Sequence, residues 1–285
     1  MDAAPTTPTN DEKSKSSLPE LVRFCNVTKV FGSGPTAAVA IKDVSFVVHD
    51  LPNVGEMISI VGPSGCGKST LLRTIAGLSP HFPPTSGEAL ILGKPIFGPD
   101  AQRGLVDQKY SLLPHLRVVD NIAFGLKLRG VPGNERRAQA MEWVKKVGLE
   151  GSENKFPSEL SGGMQQRVAI AATLILKPKF LLMDEPFGAL DPKIRLRMQE
   201  LLVELWKEQQ GTIFFVTHSV EEAVYLGDRV FRMAASPGRL VEILSLPRPD
   251  EPPETLRKKS WFTETSQELL RRLKEDAIAG GALNK

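Results

Sequence analysis

The sequence has few cysteines and no long hydrophobic run, and each absence argues against a class of protein. Its two cysteines, Cys25 and Cys66, have neither paired nor metal-binding spacing, which disfavours a disulfide framework and favours a reducing, cytoplasmic compartment. The longest apolar stretch, VAIAATLIL at 168–176, is about half as long as the roughly 18 residues of a transmembrane helix. It predicts a buried helix, so any membrane role requires a partner protein.

The sequence also lacks a strong charge imbalance and an apolar leader. A formal net charge of +3 gives no electrostatic basis for binding nucleic acid, and we expect no nucleic-acid partner. Residues 1–18 contain no apolar segment of the secretory type, and their Pro, Thr, Ser and charged residues predict a disordered tail. The 285 residues, 41% of them hydrophobic, suffice for one large α/β domain or two modest ones.

The stretch EMISIVGPSGCGKST contains a phosphate-binding pattern in the context that the pattern requires. An apolar strand is predicted at 57–61, a glycine-rich turn follows, and a helix is predicted to begin near Lys68. Glycines let successive backbone N–H groups point into one concavity, and the helix N-terminus adds positive potential. A turn without a ligand is the alternative. The predicted phosphate-binding residues are Gly62, Pro63, Ser64, Gly65, Cys66, Gly67, Lys68, Ser69 and Thr70, with Lys68 on the β- and γ-phosphates and Ser69 on Mg²⁺.

Two acidic residues end a second apolar strand, in FLLMDEP. A strand that is apolar throughout is predicted to be a buried parallel strand, and its carboxyl end is where open α/β sheets bind ligands. We expect Asp184 to hold the hydration shell of Mg²⁺ and Glu185 to polarise a water for attack on the γ-phosphate. An isolated Asp-Glu pair is more often solvated, so this prediction depends on the phosphate-binding loop.

Two further polar positions follow along the chain. Asp191 precedes Pro192 at a predicted helix start, where it is an N-cap and also a candidate nucleotide contact. His218 follows another predicted buried strand at 212–216, and at that sheet edge we expect it to contact the γ-phosphate. Ser219 and Glu222 have the spacing of a capping box for the next helix.

The stretch LSGGMQQR places bare glycines at a predicted helix start. Ser161, Gly162 and Gly163 offer exposed N–H groups, a helix dipole and a small hydroxyl, which together form a second anion site. One chain with one phosphate-binding loop does not need two such sites. We therefore expect two subunits to pack head to tail, each closing the other's nucleotide site.

Taken together, these motifs resemble those of the ATP-binding subunits of ABC transporters. GPSGCGKST resembles the Walker A motif, FLLMDE the Walker B motif, GALD the D-loop, and LSGGMQQR, which includes Gln165, the signature motif. Gln108 matches the Q-loop, His218 the H-loop, and Phe31 the aromatic residue that stacks on adenine. The resemblance covers roughly 21–246 and is closest to importers of nitrate, sulfonate and taurine.

The resemblance implies ATP and Mg²⁺ as cofactors and assigns the roles of several residues. Lys68, Gln108, Glu185 and His218 would be catalytic, and Ser69, Gln108 and Asp184 would bind the metal. Three positions depart from the usual pattern: Asp107 replaces Phe before the Q-loop glutamine, Ser219 replaces Asp, and Phe31 stacks but cannot hydrogen-bond. The segments HDLPNVGE and GLSPHFPPTSGE are also longer than usual.

The implied fold class is α/β, a P-loop NTPase with a RecA-like parallel sheet core and an antiparallel β edge. The ATP-binding domain would span 19–246, with an inserted helical signature subdomain at about 109–164. Ala138, Met141, Val144 and Val147 have helical spacing in that subdomain. Residues 247–285 predict a Pro-rich linker and a short C-terminal helix with a capping box at Thr265 and Glu268.

The implied partners are a second ATP-binding subunit, with a homodimer favoured, transmembrane permease subunits and, indirectly, an extracytoplasmic solute-binding protein. The chain would lie peripherally at the cytoplasmic face of the membrane. A permease helix would dock beside the segment after Gln108, with Leu113 and Leu116 at the rim. The alternative is an ABC-type ATPase without a membrane partner, although no inserted coiled coil or zinc module is evident. A kinase or GTPase would leave LSGGMQQR without a function.

Overall fold

The computed structural model describes residues 18–51, 54–107, 111–247 and 253–279. The expected N-terminal tail lies almost wholly outside this part of the chain. The strands are β1 (Glu20–Phe31), β2 (Ala38–His49), β3 (Glu56–Val61), β4 (Ser86–Ile91), β5 (Lys94–Pro95), β6 (Arg103–Val106), β7 (Phe180–Asp184), β8 (Thr212–Val216), β9 (Arg229–Ala234) and β10 (Arg239–Ser245). The α-helices are α1 (Lys68–Ala76), α2 (Val118–Leu128), α3 (Gly133–Lys146), α4 (Gly162–Leu174), α5 (Pro192–Gln209), α6 (Val220–Leu226), α7 (Pro253–Leu256) and α8 (Ser260–Ala279).

A six-stranded sheet forms the centre, in the order β10-β9-β3-β8-β7-β6. All its pairs are parallel except the edge pair of β9 and β10. Every residue of β3, β7 and β8 is buried, as their largely apolar sequences predict. Val216 is the register partner of both Ile60 and Asp184, so the carboxyl ends of these three strands meet at one edge of the sheet.

A four-stranded antiparallel sheet in the order β2-β1-β4-β5 packs against the central sheet. Aromatic rings join the two layers: Phe46 of β2 contacts Phe231 of β9, with centroids 5.0 Å apart, and it stacks on Phe24 of its own sheet at 4.8 Å. Leu71, Leu72 and other apolar residues of α1 belong to the same core. The predicted α/β fold with an antiparallel β edge is therefore confirmed.

Helices α2, α3 and α4 pack around a second core, but the buried face of α3 differs from the predicted one. Ala140, Trp143 and Val144 are buried, whereas Ala138 is exposed and Met141 is only half-buried. Val147 is buried as well, so the prediction holds for Val144 and Val147, whereas Ala140 and Trp143 take the buried places expected for Ala138 and Met141. Across the described ranges, no helix combines the length and hydropathy needed to cross a membrane.

The C-terminal helix is longer than expected and begins earlier. Thr265 and Glu268 lie inside α8, which has 20 residues, so the predicted capping box is wrong. Glu268 instead accepts hydrogen bonds from Arg271 and Arg272 at 2.7 and 2.8 Å. Phe262 and Leu269 are buried in the core shared with α6, and burial of Phe262 extends the helix toward its N-terminus.

Candidate active site

The loop 62–67 joins β3 to α1 and requires glycine at several positions. Gly67, at φ 89°, is the N-cap of α1. A Cβ on Gly67 would lie 2.5 Å from Ile41 Cγ2, and one on Gly62 would lie 2.5 Å from Cys66 Sγ. Both distances are shorter than real Cβ contacts, so the close packing behind the loop, together with the left-handed backbone at Gly67, accounts for the glycines of the pattern.

Lys68 is held against its own loop. Its Nζ donates to Gly62 O at 2.9 Å and to Pro63 O at 3.0 Å, and the residue is 6% exposed. The ammonium therefore lies at the loop whose amides begin α1. A buried positive charge beside a helix N-terminus favours a phosphate group.

Asp184, at the end of β7, is buried next to the first turn of α1. Its Oδ1 accepts a hydrogen bond from Ser69 Oγ at 3.0 Å. Its Oδ2 is buried, accepts no hydrogen bond from any residue the structure describes, and lies 3.5 Å from Arg73 Nη2. Burial raises the pKa of Asp184, and the Ser69 hydrogen bond and the Arg73 charge only partly offset this effect. Asp184 Oδ2, which accepts no hydrogen bond, and the nearby Ser69 hydroxyl are oxygen ligands of the kind that a hard divalent cation prefers. Such a cation would also favour the ionised form of Asp184.

Glu185 and His218 meet at the adjoining strand ends. His218 Nε2 lies 2.7 Å from Glu185 Oε1, and the Glu185 amide donates to Val216 O at 3.0 Å. Glu185 has a φ of 52°, a left-handed conformation that is unusual for a residue with a side chain and often occurs at functional sites. His218 is half-exposed, so this pair faces an open cleft.

The start of α4 is exposed and differs from the start of α1. The helix begins at Gly162, as predicted, and Ser161 is its N-cap, with Oγ accepting from Met164 N at 3.4 Å. Ser161 and Gly162 are exposed. Gln165 Nε2 donates to Pro157 O and Leu160 O at 3.0 and 3.3 Å, so its amide holds the preceding turn. No hydrogen bond or ion pair found in the described ranges joins 161–163 to the phosphate-binding loop.

The remaining predicted site residues are placed as follows. Asp191 caps α5 by accepting from Ile194 N at 3.1 Å. Phe31 is half-buried at the end of β1, and Thr70 is half-buried in α1. Gln108 lies outside the described residues, so its position is not assigned.

The sequence reasoning missed residues that support the site. Arg73 forms ion pairs with Asp107 at 3.2 Å and with Asp184 at 3.5 Å. Gln166 is buried, and its Nε2 donates to Glu185 O at 3.1 Å. Asp107 could have been recognised from the sequence because it is an acidic residue directly after a strand. No local feature of the sequence indicates which residues Arg73, on a helix, contacts.

Comparison with known proteins identifies the family. The model of the ABC transporter family matches residues 41–188. This chain belongs to the ABC transporter family. As an ATP-binding protein of this family, it is an ATPase.

Several relatives cover most of the chain. It is 44% identical over 94% of its length, and 97% of the relative's, to an ABC transporter ATP-binding protein of Methanocaldococcus jannaschii. It is 42% identical to a nitrate import ATP-binding protein of Synechocystis sp., over 87% of this chain and 93% of that protein. It is 50% identical to a taurine import ATP-binding protein of Rhizobium johnstonii, over 71% of this chain and 74% of that protein.

Solved structures of ATP-binding cassettes share the fold. A dimeric cassette in a post-hydrolysis state, bound to ADP and phosphate, has a TM-score of 0.71 and 34% identity. It covers 79% of this chain, and the alignment spans 99% of the cassette. The bound ADP and phosphate and the dimer are properties of that cassette.

Proposed function

We propose that this chain is the ATP-hydrolysing subunit of an importer for a small solute of the nitrate, sulfonate or taurine type. The observation that carries the proposal is the convergence of Lys68, Ser69, Asp184, Glu185 and His218 at the carboxyl ends of β3, β7 and β8. The relatives named as taurine and nitrate import proteins support the solute class.

The geometry supports a division of roles in ATP hydrolysis. Lys68 and the loop amides hold the phosphates, and Phe31 stacks on adenine. Ser69 and Asp184 would hold Mg²⁺, which when bound neutralises charge on the phosphate oxygens, and the resemblance adds Gln108 to this metal site. Glu185 accepts the proton of the attacking water, and His218, 2.7 Å from its carboxylate, orients that group toward the γ-phosphate.

We further infer that the start of α4 serves the nucleotide of a second subunit. Ser161 and Gly162 are exposed, and the first turn of α4 contains no acidic residue that would repel an anion. The start of this helix is therefore open to an anion from outside the chain. The dimeric assembly of a related cassette supports this arrangement.

A membrane partner is supported by an open groove between the helical part and the central sheet. The groove has a volume of about 520 Å³ and is lined by apolar residues that include Leu113, Phe124 and Leu128. Leu128 is 73% exposed and lines the same groove as Leu113 and Phe124, so together they offer an apolar surface to a partner. Leu116 lines a smaller groove nearby. We propose that a short permease helix docks here and holds the chain at the cytoplasmic face of the membrane.

Membrane fractionation with substitutions in this groove tests the importer against an ABC-type ATPase without a membrane partner. Replacing both Leu113 and Leu116 by Asp should release the protein from membranes while leaving basal ATP hydrolysis nearly unchanged. Because both leucines are half-buried, Leu128→Asp provides a second variant at an exposed position. Phe97→Asp, at a site 89% exposed outside this groove, is the matched control and should stay with the membranes. A wild-type protein found only in the membrane-free fraction, without a permease on pull-down, would overturn the importer proposal.

A further inference from the structure

The segment 78–85 packs against the end of β1, directly beside Phe31. Thr85 N donates to Thr28 O at 2.8 Å, and Val30 N donates to Thr85 Oγ1 at 2.9 Å. Lys29 Nζ donates to Pro83 O at 2.7 Å. Three successive residues of β1 before Phe31 are therefore bound to this segment, which fixes it relative to the aromatic ring.

Within this segment, His81 contacts the Phe31 ring. The two ring centroids are 5.3 Å apart and the planes are inclined at 78°, an edge-to-face arrangement that aromatic pairs prefer. Lys29 Nζ also lies 5.4 Å from the centroid of Phe31. Phenylalanine has no hydroxyl with which to fix its own orientation, so packing by these neighbours has to set the position of the ring.

Burial and neighbouring positive charges keep the His81 imidazole neutral, and its buried Nδ1 has no hydrogen-bond partner among the described residues. Thr74 Oγ1 donates to Thr70 O at 2.8 Å and lies 3.4 Å from His81 O, which places His81 against α1. Burial and the positive charges of Arg73 and Lys29 lower the pKa of His81, against an opposing contribution from Asp107. A neutral imidazole can pack on a phenyl ring without the desolvation cost of a cation.

We propose that His81 is a positioning residue for the nucleotide, because its edge-to-face packing holds Phe31 in the orientation that receives adenine. This inference rests on the proposed function, in which Phe31 stacks on the base. It assigns to the long segment after α1 a role in base binding, separate from the phosphate contacts of Lys68 and the loop.

A role in base binding differs measurably from a role in stability alone. Loss of the Phe31 contact should weaken ATP, which uses base and phosphates, but not inorganic tripolyphosphate, which can use only the phosphate-binding loop. A merely structural role would lower both affinities together or lower only the thermal stability.

The test uses the full chain with His81→Ala, His81→Gln and His81→Phe. We expect His81→Ala and His81→Gln to raise the KM for ATP about threefold to tenfold, which is what loss of one aromatic pair is worth. The kcat should change less than about twofold, and inhibition by tripolyphosphate should not change. His81→Phe should restore the KM because it keeps an aromatic ring against Phe31.

Phe31→Ala separates failure of this inference from failure of the proposed function. If Phe31→Ala raises the KM for ATP and His81→Ala adds nothing further in the double variant, the two residues act together and the inference stands. If Phe31→Ala raises the KM but neither His81→Ala nor His81→Gln does, the inference is wrong and the role of Phe31 stands. If Phe31→Ala leaves the KM unchanged, the stacking role falls and the inference falls with it. Equal losses for ATP and tripolyphosphate in the His81 variants would also overturn it.

Discussion

The starts of α1 and α4 are both glycine-rich helix N-termini, yet their surroundings are opposite. The start of α1 contains a buried lysine and lies against the buried carboxylate of Asp184. The start of α4 is exposed, and its cap is supplied by its own Ser161. A helix N-terminus alone is a modest attraction for anions. The first site therefore gains its additional charged groups from within the chain, whereas in the proposed function the second is completed by another subunit.

The two helix starts also differ in whether buried charged groups lie close to them. Asp184, beside α1, and Glu222, in the first turn of α6, both have pKa values that burial raises. The α4 start has no acidic or basic residue in its first turn. We therefore expect pH sensitivity to come from these buried carboxylates, and we expect the α4 start to affect activity only through another subunit.

The largest expected effect is that of Glu185→Gln on the α1 side. The amide cannot accept a proton from water, so kcat should fall by about 10²–10⁴ while MgATP still binds. ATP that is held but not hydrolysed should keep two chains together, and size-exclusion chromatography with MgATP should show a dimer. Glu204→Gln, at an exposed position on α5, is the control. A monomer with normal turnover would show that Glu185 is not the base.

Lys68→Ala should come next in size. Removing the buried ammonium should lower ATP hydrolysis by about 10²–10³, the usual cost of deleting one charge-stabilising donor, and should weaken binding of a fluorescent ATP analogue. Circular dichroism should show a retained fold, because among the described residues Nζ donates to two loop carbonyls and to Cys66 Sγ and to no core group. Lys94→Ala, at an exposed site in β5, should behave as wild type. Unchanged affinity together with unchanged turnover would contradict the assignment.

Mixing two inactive variants tests whether the α4 start acts in another subunit. Chains with Lys68→Ala and chains with Gly162→Asp can form one intact composite site per mixed dimer. Up to about a quarter of the wild-type rate should return in an equal mixture, since about half of the dimers are mixed and each has one intact site. Each variant alone is the control. If mixed dimers form on size-exclusion chromatography but no ratio restores hydrolysis, the two sites do not act independently. The start of α4 then does not by itself complete a working nucleotide site in the other subunit.

The smallest expected effect concerns the pH dependence of stability that a buried carboxylate of α6 causes. Buried Glu222 accepts hydrogen bonds from Thr217 and from Gln199, the latter at 2.7 Å, and burial raises its pKa. The folded chain thus binds this proton at a pH where the unfolded chain has released it. The stability that results is present below the ordinary pKa of glutamate and is lost as pH rises through the raised value.

Glu222→Gln has no titrating group at this position, so it does not lose this stability. Its free energy of unfolding relative to that of wild type should increase as pH rises from the ordinary pKa of glutamate through the raised value. The gain should lie in the range of ordinary single substitutions, about 0.5–3 kcal/mol. Urea unfolding across the pH range measures it. Glu221→Gln, at an exposed neighbour 3.5 Å from Arg257, is the control and should show no such trend. A constant difference between Glu222→Gln and wild type at every pH would exclude titration of Glu222 as the cause.

Sequence-based predictions succeeded where the deciding interaction lies within a few residues. The glycine-rich loop, the helix start at Gly162, the cap by Asp191, and the buried strands before Asp184 and His218 all depend on local hydrogen bonds or local apolar patterns. The capping box at Ser219 is only half correct. Ser219 does accept from Glu222 N at 3.2 Å, but the Glu222 side chain turns to Thr217 and Gln199 instead.

Interactions between distant parts of the chain were decided only by the tertiary structure. Ser69 meets Asp184 across 115 residues, and Arg73 joins Asp107 to Asp184 because the carboxyl ends of parallel strands surround α1. His81 meets Phe31 because the segment after α1 returns to the end of β1. The sequence by itself determined which chemical groups the protein has and the local backbone that presents them. The packing of the sheets decides which carboxylate is buried, which of its oxygens accepts no hydrogen bond and which rings touch. Burial and long-range contacts exist only once the whole core has formed.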